Sequence, residues 1–249
     1  MKAKREIVLT SRDFEILQFV FEQRAVSCKQ LAQRFFSIAS FQAAHARLEK
    51  LITTNYLEKF YTLWNDTRTV VYGITKKGVK AVGERYHYQI TGENYKSDSI
   101  NHDLGLVVLR ERLEKVKMVA NYFSENMLKN CSDLSGSEKY REFSVVNSDA
   151  ALAIDTTKNK FQVAVEYESS DKKKSRYIKK LVDYYFSPSV ALVLYVCGNA
   201  RIEKLIRAAD LEIGGKHKAK VFTCLEENFH KSDGCLPFTN RNNAIFKLE

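Results

Sequence analysis

The chain has 249 residues, 45% of them hydrophobic and 12% aromatic, which is enough apolar material for a buried core and argues against intrinsic disorder. Lys and Arg number 40 against 30 Asp and Glu, a formal charge of +10, which points to a polyanionic partner. The longest apolar run, residues 190–197, is too short to cross a bilayer and no signal-peptide pattern opens the chain, so a soluble cytoplasmic protein without membrane insertion is expected.

From the amino terminus, Thr10 or Ser11 can cap a first helix in which Phe14, Leu17 and Phe21, with Ile16 and Val20, recur at helical spacing. Ser27 caps a second, shorter helix through Leu31, Ala32 and Phe35. Ser40 caps a third, from Phe41 through Ala44, Leu48 and Leu51. Strands at 56–61 and 69–74 flank a polar turn at Asn65-Asp66, and a last helix follows. This order is that of a winged helix–turn–helix, whose third helix enters the major groove. Its exposed face would offer Gln42, His45, Arg47, Glu49 and Lys50; the wing holds Arg68, and Lys76 and Lys77 come after it. Amide and basic side chains at such places suit base edges and phosphates, although the same module could serve docking with its charges merely solvated. Residues 1–95 carry 15 basic and 9 acidic side chains, so this part is the more basic per residue and the first candidate for phosphate contacts.

Residues 86–100 are polar, show no clean period, and read as a linker between a domain at 1–95 and one at 100–249. Beyond it the pattern alternates: a helix at 103–117, a strand at 119–123, a hairpin of 150–154 with 161–165, and a helix at 172–185. A strand at 190–196, a helix at 201–209 and a final strand at 220–224 complete it. Strands alternating with helices argue for an α/β or α+β sheet domain. The five cysteines contain no CxxC pair, which excludes a zinc-finger or thioredoxin-like reading and leaves them as reduced, mostly buried small hydrophobes.

The informative chemistry lies in the second hairpin. With a four-residue loop at 156–159, Asp149 sits opposite Glu166; with a two-residue loop at Lys158-Asn159, it faces Glu168. Either even-length loop puts all three carboxylates on one face, because side chains alternate along a strand. Like charges opposite one another repel unless water or a cation lies between them. A divalent cation such as Mg²⁺ or Mn²⁺ fits oxygen ligands and would serve phosphodiester chemistry; a solvated acidic edge explains the same residues equally well. A lysine is the other expected part. On the following helix, the stripe of Tyr177, Ile178, Leu181, Val182 and Tyr185 favours Lys174 facing the sheet and Lys180 pointing away.

A set of ordered motifs between residues 9 and 196 resembles a known family. They are Leu9-Thr10-Ser11-Arg12-Asp13 with Ile16-Leu17, Gln30-Leu31-Ala32, Arg47-Leu48 with Leu51, and Val71-Tyr72 leading to Thr75-Lys76-Lys77-Gly78. The second half adds His102-Asp103-Leu104, Ser148-Asp149-Ala150, Val165-Glu166 with Glu168, and Lys180-Leu181 with Tyr184. Together they resemble the plasmid replication-relaxation family, which includes MobC-type conjugative relaxases. The resemblance implies an α+β chain in which a winged helix precedes an α/β restriction-endonuclease-like domain of PD-(D/E)xK type. It implies nicking of one strand at a plasmid transfer origin with Mg²⁺ or Mn²⁺, alongside a coupling protein and other relaxosome proteins. Asp149 matches the Asp of the PD motif and Glu166 the next acidic ligand, while Glu168 stands where the pattern has its lysine. The lysine's role then moves to the next helix, where Lys180 matches the family and Lys174 the periodicity. Asp149, Glu166, Glu168 and Lys180 are thus the implied catalytic set, the three carboxylates also the metal set, and Glu125 an upstream acidic position. His102 and Asp103 read as family signature. The tyrosine relaxase alternative needs two histidines two residues apart, and no pair of the five histidines has that spacing. Tyr185 lies on the apolar stripe and suits packing, while the role of Tyr184 stays open. The alternative function is a non-catalytic winged-helix regulator of plasmid replication or transcription; a defence nuclease that cuts both strands ranks third.

Overall fold

The computed structural model describes residues 7–36, 41–92, 95–215, 217–232 and 234–249. The chain is a mixed α+β protein and divides into two compact units, Met1–Val108 with Lys129–Asp133, and Leu109–Leu128 with Leu134–Glu249.

In the first unit the order is α1 (Ser11–Gln23), β1 (Val26–Ser27), α2 (Cys28–Phe35), α3 (Phe41–Thr53), β2 (Leu57–Trp64), β3 (Thr67–Ile74) and α4 (Lys76–Tyr86), after which α5 (Ile100–Leu113) begins. Thr10 caps α1 in a reciprocal capping box with Asp13, and Ser27 does the same for α2 with Gln30. The expected cap at Ser40 lies outside the described residues. Trp64 pairs with Thr67, so the hairpin turns on Asn65 and Asp66 alone, with φ of 50° and 58°. Two left-handed residues are what a tight hairpin turn of matching twist needs, and Asn and Asp tolerate them best. β1 adds a third strand through Val26↔Tyr72 and Ser27↔Val71. At two residues it is too short to show a period, which is why the sequence pattern does not reveal it. Thr75 caps α4 by accepting the Gly78 N–H, and a side chain at 78 would collide with the Tyr56 carbonyl and the Ile74 side chain. The polar stretch read as a linker is packed into this unit: Ile90 bridges Cys131 and Tyr95 is buried.

The second unit is built on a seven-stranded sheet. The elements from here on are β4 (Val119–Ser124), α6 (Glu125–Asn130) and α7 (Ser132–Ser135), whose junction at Lys129–Asp133 goes with the first unit, then α8 (Glu138–Val145), β5 (Ala150–Asp155), β6 (Lys160–Glu168), α9 (Lys174–Tyr185), β7 (Leu192–Cys197), α10 (Ala200–Gly214), β8 (Val221–Leu225), α11 (Glu226–Lys231), β9 (Leu236–Asn240) and β10 (Ile245–Leu248). The strand order is β10-β9-β8-β7-β6-β5-β4. β6, β7 and β8 run parallel, joined through α9 and α10, while the outer pairs are antiparallel. β8 is therefore not the final strand expected from the sequence, because β9 and β10 extend the sheet beyond it.

The hairpin closes with Asp155 opposite Lys160, so its loop is the four-residue one, and Ala150 pairs with Val165. Strand alternation then sends Ala151, Ala164, Tyr195 and Cys197 to one face, where they pack with Tyr140 and Phe143 of α8, Tyr177, Leu181 and Tyr184 of α9, and Ile202 and Ile206 of α10. Glu166 and Glu168 share the parity of Ala164 and point into this covered face, which is why both are buried.

Candidate active site and nucleic-acid interface

One step beyond the Ala150↔Val165 pair, the register sets Asp149 opposite Glu166. α8 ends at Val145 with Val146 as its C-cap, and Asn147 in the left-handed region (φ 55°) turns the chain into β5. Asp149 Oδ2 accepts the Tyr167 N–H at 2.8 Å, and its own carbonyl accepts the Glu125 N–H at 2.9 Å, which ties the start of α6 to the same corner.

Glu166 is 4% exposed. Its Oε1 lies 3.1 Å from Lys180 Nζ and accepts the Tyr184 hydroxyl, which in turn is 2.8 Å from Ser148 Oγ. Burial pushes the Glu166 carboxyl up to about 8 against the pull of Lys180, and the Asp149 charge adds to the rise. Burial works to discharge Lys180, yet the fields of Glu166 and Asp149 outweigh it and hold that ammonium above the ordinary lysine value. Lys180 also donates to the Asn147 carbonyl at 2.7 Å. The sequence periodicity favoured Lys174, but Lys174 pairs with Glu212 at 2.6 Å on an exposed surface. The buried line of α9 runs through Tyr177, Leu181 and Tyr184, so its centre is rotated from the expected stripe toward position 180. A long lysine stem beside that line reaches the carboxylate without burying its whole length.

Glu168 makes a different pair, with Oε1 2.6 Å from Lys172 Nζ. Tyr195 is the cross-strand neighbour of Glu166, and its hydroxyl is buried with no hydrogen-bond partner beside the charges of Glu166, Glu168 and Asp149. Among the described residues no group of three or more His, Cys, Asp or Glu side chains converges as metal ligands, so the expected three-carboxylate set is not gathered in this arrangement. Asp149 and Glu166, opposite one another across the hairpin, carry the hard oxygens that Mg²⁺ or Mn²⁺ would need, ions that fill most of their coordination with water and phosphate. Ser148, Tyr184 and Tyr195 are the site residues that sequence reasoning left unassigned. Tyr184 stood in a motif without a role, and Tyr195 sat inside an apolar run whose pairing with β6 no local pattern encodes.

In the first unit, Gln42, His45 and Lys50 are exposed on α3, and Arg68 is exposed on β3 with its guanidinium 4.7 Å from the centre of the Tyr61 ring. Glu49 on the same face takes Lys59 at 2.5 Å and stands 3.9 Å from His45. Arg47 is committed elsewhere: it grips the buried Asp13 with two nitrogens and donates to the Val8 carbonyl. Burial tends to raise the Asp13 carboxyl, but the bonds from Arg47 and Thr10 hold it below the ordinary value. Arg47 thus clasps α3 to the start of α1, with its donors turned inward from the face that Gln42 and Lys50 present.

A family model described as replication-relaxation matches residues 17–186, more than half of the chain. The chain belongs to the replication-relaxation family. No curated protein and no solved structure matches it. In this replication-relaxation protein the matched span covers α3, the Asp149–Glu166 corner and α9 with Lys180 and Tyr184; the strand carrying Tyr195 lies beyond it. No helix among the described residues is long and apolar enough to cross a membrane.

Proposed function

We propose that this protein is a MobC-type relaxase that binds and nicks one strand of plasmid DNA at a transfer origin. The observation that carries the reading is the buried corner in which Asp149 faces Glu166 and Lys180 rests on Glu166. The antiparallel strands β4, β5 and β6, with α6 to α8 inserted between β4 and β5, followed by the α9 crossover to the parallel strand β7, support a PD-(D/E)xK-like core. Three helices followed by a hairpin support a winged helix that presents Gln42, His45, Lys50 and Arg68 to the duplex.

Asp149 and Glu166 would hold the divalent cation, which supplies an activated water and neutralises charge on the phosphodiester. The chain's own residues prepare that corner. The Tyr167 amide fixes Asp149, while Lys180 and the Tyr184 hydroxyl fix Glu166. Lys180 offers a cation beside the scissile phosphate, the part that the lysine of the nuclease pattern would otherwise play. Tyr184 is completely buried and its phenol is held well above the ordinary value by that burial, so it orients Glu166 rather than attacking DNA. Supercoiled origin plasmid incubated with Mn²⁺ should become open circle with the wild type and stay supercoiled with Asp149→Ala, at nearly unchanged DNA binding. Equal nicking by both proteins would sink the reading.

A second reading has its own observation. Glu166 and Glu168 are already neutralised by Lys180 and Lys172, as in a domain that keeps the corner for stability alone. A winged-helix regulator of plasmid replication or transcription would shift origin DNA in gels and convert none of it under Mn²⁺.

A further inference from the structure

At the other end of the parallel strands lies a cavity of about 480 Å³, within the roughly 300–1,000 Å³ range of small-ligand pockets. Phe161, Tyr185, Leu192, His217, Lys218 and Lys220 line it, and no acidic residue does so among the described residues. Phe161 precedes Glu166 by five positions on β6, which separates the cavity from the carboxylate corner by about 16 Å along the strand.

The walls combine two chemistries. Phe161 and Tyr185 supply aromatic surface, and the Tyr185 ring is held in place through its hydroxyl, which donates to Asp210 Oδ1 at 2.6 Å and accepts from Arg241 Nη1 at 2.8 Å. The His217 ring lies 5.9 Å from that of Tyr185 and extends the same wall. Lys218 and Lys220 supply cations. Lys220 spends two of its three donors on the Tyr184 and Ser187 carbonyls, at 2.9 and 2.6 Å, which pins its ammonium at the wall. Lys218 is exposed. Aromatic rings beside cations, one ring held in place and its nearby Asp210 carboxylate paired with Arg241 at 3.2 Å, are what an unpaired nucleotide requires: base faces stack on rings and the backbone follows the positive charge. A paired base in a duplex has both faces covered and cannot use such a cavity.

We propose that this cavity takes one nucleotide of single-stranded DNA, its base against Phe161 and Tyr185 and its phosphate on Lys218 and Lys220. The inference rests on the DNA-processing reading for the origin of the strand, which would be the one freed by nicking. The measurement needs no nicking. Full-length protein is titrated into a fluorescein-labelled single-stranded 12-mer and into the matching duplex, with anisotropy as readout. Lys218→Glu and Ala191→Glu, both at exposed wall positions, should each weaken single-strand binding about tenfold and leave duplex binding unchanged. Lys218→Glu should also flatten the dependence of log K on log salt by about 0.7, one single-strand phosphate contact. A 5-iodouracil 12-mer should cross-link to peptides containing Phe161, Tyr185 or His217. Wild-type affinity in both variants, cross-links confined to other peptides, or displacement of the 12-mer by an acidic peptide as readily as by unlabelled strand overturns the proposal. Loss of single-strand binding in the variants of a protein that nicks nothing upholds the cavity and refutes the relaxase; nicking with unaltered single-strand binding does the reverse.

Discussion

Glu166 is the side chain on which the interactions of the buried corner meet. Its carboxyl is 4% exposed, and that burial pushes it up to about 8 although a lysine stands 3.1 Å away. Because the folded value lies above the ordinary one, the stabilisation it confers is complete in acid and is lost as pH rises through 8. Metal-free protein should therefore melt at a lower temperature at pH 9 than at pH 6.5, and Glu166→Gln should flatten that decline. Under the relaxase reading, Mn²⁺ should restore the melting temperature at pH 9 more than at pH 6.5, since the cation needs the ionised carboxylate. Circular-dichroism melts at the two pH values, with and without Mn²⁺, measure all of this. A pH response identical in wild type and Glu166→Gln would show that the proton belongs to another group. Arg47 teaches the complementary lesson at this scale: the sequence reading places it on the exposed face of α3, yet the buried Asp13 claims it.

At the scale of elements, two contacts decide where the functional side chains stand. The rotation of α9 puts Leu181 and Tyr184 on the sheet and so brings Lys180 over Glu166. In the first unit, α4 docks against the β2–β3 hairpin through Gly78, where backbone meets backbone: a Cβ there would strike the Tyr56 carbonyl. Gly78→Ala would gain helix propensity worth under about 1 kcal/mol, but the collision is with a carbonyl that cannot swing aside as a side chain would. Overpacking of this kind costs about 1–3 kcal/mol, so the substitution should lower the urea midpoint of the first unit's transition. A neutral or stabilising Gly78→Ala would mean that α4 can shift without cost. The nearby Gly83 makes the control, since a Cβ there meets its nearest atom at 3.4 Å, an ordinary contact.

At the scale of the whole molecule, charge and chemistry are separated along the chain. Residues 1–95 carry a net of +6 and the exposed α3 face, while the carboxylate corner belongs to the second unit. If α3 reads duplex DNA through phosphates, Lys50→Gln should reduce the slope of log K against log salt by about 0.9 for duplex and leave Mn²⁺-dependent chemistry on non-specific DNA unchanged. A slope equal to that of wild type would remove Lys50 from the interface. Much of this organisation was legible in the residues themselves. Thr10 and Ser27 announce helix starts because capping is a matter of a few neighbouring atoms, and Asn65-Asp66 announces a tight turn because few residues accept a positive φ. The shared face of Asp149 and Glu166 was legible too, once an even hairpin loop was assumed, since alternation along a strand is a local rule. The choice between a four- and a two-residue loop and the inward turn of Arg47 were not, nor was the place of Lys180 legible in the helical period, which favoured Lys174 where the family resemblance favoured Lys180. Each depends on which distant group lies close by: β4 and β7 flanking the hairpin, Glu166 beneath α9, Asp13 at the start of α1. Periodicity gives the direction in which a side chain leaves its own helix, and only the packed partner decides where a long, charged chain comes to rest.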